Sequence, residues 1–144
     1  MRRTRSIPAI VTILLFFATS AMAGNFDWVE DFNLRAEKNP RDFRARLASR
    51  FQAGEEQIGA VIDDVSKPSE AYIVFRLEEM SGQPLDRVMA EYEFCRKKGW
   101  DVIAKRLGIR PGSRDYRKLK AGQDLYGGND PAREREGYSG KREP

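Results

Sequence analysis

Few side chains in this sequence have reactive potential, and their spacing decides what they can do. Histidine is absent and cysteine occurs once, at Cys95. Without imidazole there is no Ser-His-Asp or Cys-His relay, no His-ligated zinc and no histidine pH switch. Cys95 has no intrachain disulfide partner. Its place between Phe94 and Arg96 on an expected helix marks it as a buried core thiol, with an intermolecular disulfide as the alternative. Carboxylates come as adjacent pairs: Glu55-Glu56, Asp63-Asp64 and Glu78-Glu79. Glycoside chemistry needs two carboxylates facing one cleft. Neighbours on a helix diverge by about 100°, so an adjacent pair does not converge, and these pairs read as solvated faces. No EF-hand, phosphate-loop or nucleophile-elbow spacing occurs. No residue is therefore assigned a catalytic, cofactor-binding or metal-ligating role, and the chain is expected to be a non-catalytic module.

The remaining chemistry is charge. Arg35, Lys38, Arg41, Arg44, Arg46 and Arg50 form the densest basic zone, interrupted by Glu37 and Asp42. A second set, Arg114, Arg117, Lys118 and Lys120, lies further on. Arg41, Arg44, Arg46, Arg50, Arg114, Arg117 and Lys118 are the expected contacts for an anionic partner. That partner would be an acidic patch of another envelope protein or an anionic envelope surface. The overall balance adds little to this. The chain carries 26 Lys and Arg against 22 Asp and Glu. Arg2, Arg3 and Arg5 belong to an N-terminal leader, and without them the count is 23 against 22, close to neutral. A nucleic-acid reading built on global charge therefore has no basis.

The leader spans residues 1–23. Three arginines form its basic n-region, residues 7–17 its apolar h-region, and Ala21-Met22-Ala23 a small-x-small cleavage site. The run is short for a spanning helix and has no stop-transfer flank. The expectations are export to the periplasm or the medium, a mature chain starting at Gly24, and no transmembrane segment after cleavage. A single cysteine then means that the mature fold must hold in an oxidising compartment through packing alone.

The elements that position these side chains read as helices throughout. Phe26, Trp28, Val29, Phe32 and Leu34 accompany Asp27, Glu30 and Asp31, acidic residues suited to a helix start. Asn39-Pro40 is a restart, with Asn as N-cap and Pro at the first helical position. Phe43, Leu47 and Phe51 then recur every four residues, with the arginines mostly off that stripe. Ile58, Val61, Ile62 and Val65 give a clean helical period after Gly54, and Gly59 within it suggests a close helix contact. Pro68 opens a further segment whose Ala71-Tyr72-Ile73-Val74-Phe75 is apolar throughout. Read alone it fits a buried strand. Leu77 and Met80 continue the period and Gly82 ends it, so it is expected to be a central helix. After Pro84, Leu85, Val88, Met89, Tyr92 and Cys95 continue the pattern.

A tri-helical corner follows. Gly99 stops one helix; Trp100, Ile103 and Leu107 stripe a short second one; Gly108 ends it; Pro111-Gly112 turns the chain; and Ser113 caps a third. Trp100 is expected to be the corner's largest plug. Beyond residue 121 few apolar residues remain, and 122–144 reads as a disordered tail. The expected architecture is one all-α domain of five to seven short helices over 24–121.

Two resemblances attach to the corner. Trp100-x-x-Ile103-Ala104-x-x-Leu107-Gly108-Ile109, followed by Gly112-Ser113, Tyr116 and Leu119, resembles the helix-turn-helix pattern of sigma-type and related DNA-binding domains. That resemblance implies a third helix in the major groove, with Arg114, Arg117, Lys118 and Lys120 on phosphates or base edges. Pro111 in the turn, a third helix of about two turns and the export leader depart from it. A packing corner is therefore preferred and nucleic-acid binding through residues 99–120 is kept as the alternative. The run Lys98-Gly99-Trp100-x-x-Ile103-Ala104-Lys105-x-Leu107-Gly108-Ile109-x-Pro111-Gly112-Ser113 also follows a Ser81-Gly82-Gln83-Pro84 break. Together they resemble a group of small exported bacterial helical proteins of uncharacterised function. This resemblance implies export and a helical domain, and no activity.

Overall fold

Helix α4 (Pro68–Ser81) has solvent on almost none of its sides, and the other helices are arranged to cover it. In the computed structural model, which describes residues 26–127, Ala71, Tyr72, Ile73, Val74, Phe75 and Leu77 are all at most 1% exposed. Each large apolar side chain so buried contributes about 1.5–3 kcal/mol. The covering elements are α1 (Val29–Lys38), α2 (Pro40–Phe51), α3 (Glu55–Asp64), α5 (Leu85–Cys95), a 3-10 turn (Arg96–Lys98), α6 (Trp100–Arg106) and α7 (Arg114–Ala121). α1, α3, α5 and α7 pack on α4 directly, while α2 bridges α1 and α3 and α6 leans on α5. The described residues thus form one all-helical arrangement of seven α-helices without a strand, as expected. No helix among them is long and apolar enough to cross a membrane.

Local chemistry sets the helix starts. Asn39 Oδ1 accepts from Asp42 N at 3.2 Å with Pro40 at the first helical position, and Ser113 Oγ accepts from Tyr116 N. The start of α4 is satisfied from two directions. Asn33 Oδ1, brought in by α1, accepts from Ser69 N at 2.8 Å. The Glu70 carboxylate accepts from Ser66 N and Lys67 N, and from the Tyr92 hydroxyl at 3.0 Å. Helix-start amides left without acceptors inside the protein would be costly, so these side chains tie α1 and α5 to the central helix.

The corner closes as a hydrogen-bonded motif. Gly108 N donates to Lys105 O at 3.1 Å and Ile109 N donates to Ala104 O at 2.9 Å, the paired bonds of a Schellman stop. Gly108 takes φ +82° and Gly99 φ +95°. Side chains disfavour both, so glycine is required at these two points. The plug differs from the expectation. Trp100 is only half-buried, stacked on Tyr92 at 5.6 Å between centroids. The space at the centre is filled by Tyr116, Ile103 and Leu119, each at most 1% exposed. The Tyr116 hydroxyl donates to Asp101 Oδ1 at 2.8 Å, locking α7 to α6. An aromatic at the first residue of a short helix lies at the rim, whereas the third residue of α7 points back into the angle.

The two chain segments outside the helices are also docked. Phe26 N donates to Lys120 O at 3.1 Å, and Trp28 Nε1 donates to Leu119 O at 3.0 Å, so α7's last carbonyls are capped by the start of α1. Residues 122–127 lie against the body. Leu125 is 7% exposed, the Tyr126 ring sits 5.1 Å from that of Phe32, and Asp124 bonds Tyr72. The domain boundary expected at 121 therefore falls too early, because three side chains in that short stretch have partners on α1, α2 and α4. The expected leader over 1–23 and residues 128–144 of the expected tail lie outside the described residues.

Tyr116→Ala is expected to lower stability by about 3–5 kcal/mol, the range for emptying an aromatic core site. Trp100→Ala should cost clearly less, because its side chain lies at the rim and is already partly exposed. Denaturant unfolding of the two variants ranks them; equal losses would return Trp100 to the role of plug. Ending the chain at Gly122 rather than Gly127 should cost more than the contribution of about 1.5–3 kcal/mol from the buried Leu125 alone, because the Asp124 and Tyr126 contacts go with it, read as a drop in the melting temperature.

Candidate functional site

The residues singled out by sequence divide into three sets, which the fold treats differently. The corner residues Gly99, Trp100, Ile103, Leu107, Gly108, Pro111 and Gly112 lie on α6, at its two ends and in the turn that leads to α7. Seven residues, 107–113, separate α6 from α7. DNA-reading helix pairs are joined by turns of about three to four residues, so this spacing suits packing better than groove recognition.

The basic zone of α2 is largely engaged within the protein. Arg46 Nε donates to Asp42 at 2.6 Å, its Nη1 reaches the Leu125 carbonyl at 3.4 Å, and its guanidinium lies 5.3 Å from the Tyr126 ring centroid. Arg50 donates to Asp124 Oδ2 at 2.9 Å and to both oxygens of Glu79 at 3.1 and 3.3 Å, and lies over the Phe51 ring. A Cβ on Gly59 would stand 2.9 Å from Nη2 of Arg44, a contact that the flexible arginine could relieve by shifting, so the structure shows no requirement for glycine there. Arg41 is exposed. Arg46 and Arg50 thus hold residues 124–126 and are not laid out for a separate anionic partner. On α7, Arg114, Arg117 and Lys118 are exposed, while Lys120 pairs with Asp101 at 3.3 Å. Glu55 and Glu56 stand in the first turn of α3 and Asp63 and Asp64 at its end. Glu79 pairs with Arg50 and Arg76. Cys95 is fully buried.

Sequence reasoning missed a polar residue that links three elements, Asp124. Its Oδ1 accepts from the Tyr72 hydroxyl at 2.8 Å, its backbone N–H donates to the same hydroxyl oxygen at 3.1 Å, and Oδ2 faces Arg50. Burial alone would raise the Asp124 carboxyl. The hydrogen bonds from Arg50 and Tyr72 outweigh it, and the net shift is downward. The Arg50 guanidinium is raised, first by the bond to Asp124 and then by Glu79, against burial. Burial raises the Tyr72, Tyr92 and Tyr116 phenols, and their carboxylate partners raise them further. Glu91 is lowered by its hydrogen bond from Arg106. Glu78 moves the other way, raised by burial. A depression of about 410 Å³ is lined by Ala45, Arg46, Ser49, Arg50, Asp124 and Leu125. Its size suits a small ligand, but its charged groups face one another instead of converging on a shared point. A smaller groove of about 260 Å³ runs beside Phe43, Ile62, Val65 and Pro68, with Arg44 at its edge. Among the described residues no group of three metal-ligating side chains gathers.

Two further residues were legible in part. Phe94 is an apolar residue out of phase with Val88, Tyr92 and Cys95, and out-of-phase apolar residues face solvent. Glu91 lies in phase with that stripe, and an in-phase carboxylate must find a partner. It has two: Arg106, and Arg87 at 2.8 Å.

Asp124→Ala is expected to cost about 1–3 kcal/mol, the range for stripping a partner from a buried hydroxyl. The pH dependence fixes the sign. A carboxyl lowered by folding adds stability above its unfolded-state value, and that stability is lost as pH falls through its folded-state value. The parent should thus lose stability on acidification through and below the usual carboxylate range, and Asp124→Ala should lose less over the same window. Parallel pH-dependent denaturation curves would remove Asp124 from that role.

No protein-family model, curated protein or solved structure matches this chain.

Proposed function

We propose that the chain is an exported, non-catalytic helical module of the bacterial envelope that binds or scaffolds. The observation that carries this is electrostatic. General acids and bases are tuned toward neutral pH. Here burial first, and carboxylate partners second, raise Tyr72, Tyr92 and Tyr116; carboxylate partners raise Arg50 and Arg106; and hydrogen bonds lower Asp124, against burial, and Glu91, so these groups are driven away from neutrality. Glu78 is the exception. The paired ions brace the body, which leaves the outer surface as the means of acting. The basic n-region, apolar run and Ala21-Met22-Ala23 site supply the compartment, the periplasm or the medium.

A second reading is nucleic-acid binding through residues 99–120, favoured by the exposed Arg114, Arg117 and Lys118 on α7. The long turn and the export leader count against it.

Cell fractionation with intact-mass measurement tests the first reading. The expected product lies outside the cytoplasm and begins at Gly24; a full-length cytoplasmic product would sink it. Replacing Arg114, Arg117, Lys118 and Lys120 by Gln tests the second. The parent is expected to show no salt-sensitive duplex affinity at physiological salt. Tight duplex binding abolished in the four-Gln variant would promote the alternative, since each lost phosphate contact lowers the salt slope by about one.

A further inference from the structure

Phe94 is the most exposed large apolar side chain among the described residues, with 68% of its surface in solvent. It stands in the last turn of α5, and two cations are held against it. Lys98 Nζ and Arg106 Cζ each lie 5.2 Å from the ring centroid. The position of Arg106 is built into the fold. Its guanidinium bonds both oxygens of Glu91, a carboxylate whose side chain is only 4% exposed, and Arg87 reaches the same carboxylate. A buried carboxylate is costly unless paired. Here the pairing fixes an arginine from α6 beside a ring from α5, and two arginines on one carboxylate leave net positive charge. Helical spacing places Arg87, Glu91, Phe94 and Lys98 at i, i+4, i+7 and i+11, one side of α5 and its 3-10 extension. Lys97 is exposed next to them.

We infer that this Phe94 patch docks on the surface of an anionic lipid bilayer, a proposal that rests on the envelope reading and names its partner. Phe94 enters the boundary between head groups and acyl chains, Lys97 and Lys98 meet lipid phosphates, and the net positive charge of the Arg87–Glu91–Arg106 group adds to the attraction. One apolar anchor within a basic collar is the chemistry of a peripheral contact with anionic lipid. The geometry favours this over the two nearest competitors. A nucleobase would need an open ring face on which to stack, and Lys98 and Arg106 lie over that ring. A stable protein interface buries about 800 Å² on each partner around an apolar centre, and a single phenyl group amid charges offers far less.

The test is sedimentation of the full chain with vesicles of phosphatidylcholine alone and of phosphatidylcholine with phosphatidylglycerol, at low and high salt. Four forms are compared: the parent, Phe94→Ala, the double change Lys97→Gln with Lys98→Gln, and the double change Arg117→Gln with Lys118→Gln on α7. All carry the same residues 1–23, so any affinity of that apolar run is common to them. Thermal unfolding verifies that each is folded; Phe94 is exposed, so its removal leaves the core intact. The expected result is binding that requires phosphatidylglycerol and weakens in high salt. It should fall about tenfold in Phe94→Ala and about fivefold for each lysine removed at 97 and 98, with no change in the α7 variant. Equal binding to both vesicle types overturns the proposal. So does an unchanged affinity in Phe94→Ala, or an equal loss in the α7 variant, which would reduce the effect to net charge. A single-stranded oligonucleotide serves as a further probe, and Phe94-dependent binding to it in place of vesicles would make the ring a base-stacking platform. Failure on vesicles with the protein still recovered outside the cytoplasm refutes the lipid partner alone. Recovery of a full-length cytoplasmic product refutes the envelope reading beneath it.

Discussion

The burial of α4 on nearly all sides governs the architecture. A helix with five successive apolar residues cannot offer a polar face to water, so neighbours must surround it. Short helices can do this only if the chain reverses often, and the Pro and Gly residues supply those reversals. The same demand explains the aromatic crowd beside α4. Tyr72 meets Trp28, Phe32 and Phe51 at 5.3–5.8 Å between centroids, and Phe75 stacks on Phe51. These rings come from α4, α2 and the start of α1, so no single hairpin completes the core.

Polar side chains do a different job: they join elements distant in sequence. Arg50 and Asp124 are 74 positions apart, Trp28 and Leu119 are 91 apart, and both pairs lie within hydrogen-bond distance. Asn33 and Glu70 complete the start of α4 from outside and inside the helix. Charge here serves mainly as internal bracing, and around Phe94 braced charge and an exposed apolar side chain meet at the surface. Glu91 shows how. It is buried for the sake of Arg106, and Arg106 is thereby held beside the ring.

The helices were legible because their signals are local. Asn39, Pro40, Pro68, Gly82, Gly108 and Ser113 each act through a backbone bond or a fixed dihedral within a few residues. Periodicity located the buried face of α3 and α5 for the same reason. What could not be read depended on distance. Tyr116 displaces Trp100 from the centre of the corner because of the angle at which α7 returns, and no local pattern encodes that angle. Asp124, Leu125 and Tyr126 looked like the start of a polar tail because composition counts apolar residues, whereas docking depends on where Arg46, Arg50 and Tyr72 await them. The arginines of α2 looked available for the same reason. Phe94 was visible as a phase error in its helix, although the cations beside it were not.

The docking of Phe26 on Lys120 and of Tyr126 on Phe32 means that the packed body receives and releases its backbone at one pole, beside the first turns of α1. Such a body can be spliced into a loop of a host protein without prying the host's strands or helices apart. It can equally be recut, with a short peptide joining the old ends and new ends opened at the exposed turn around Gly54 or Gly82.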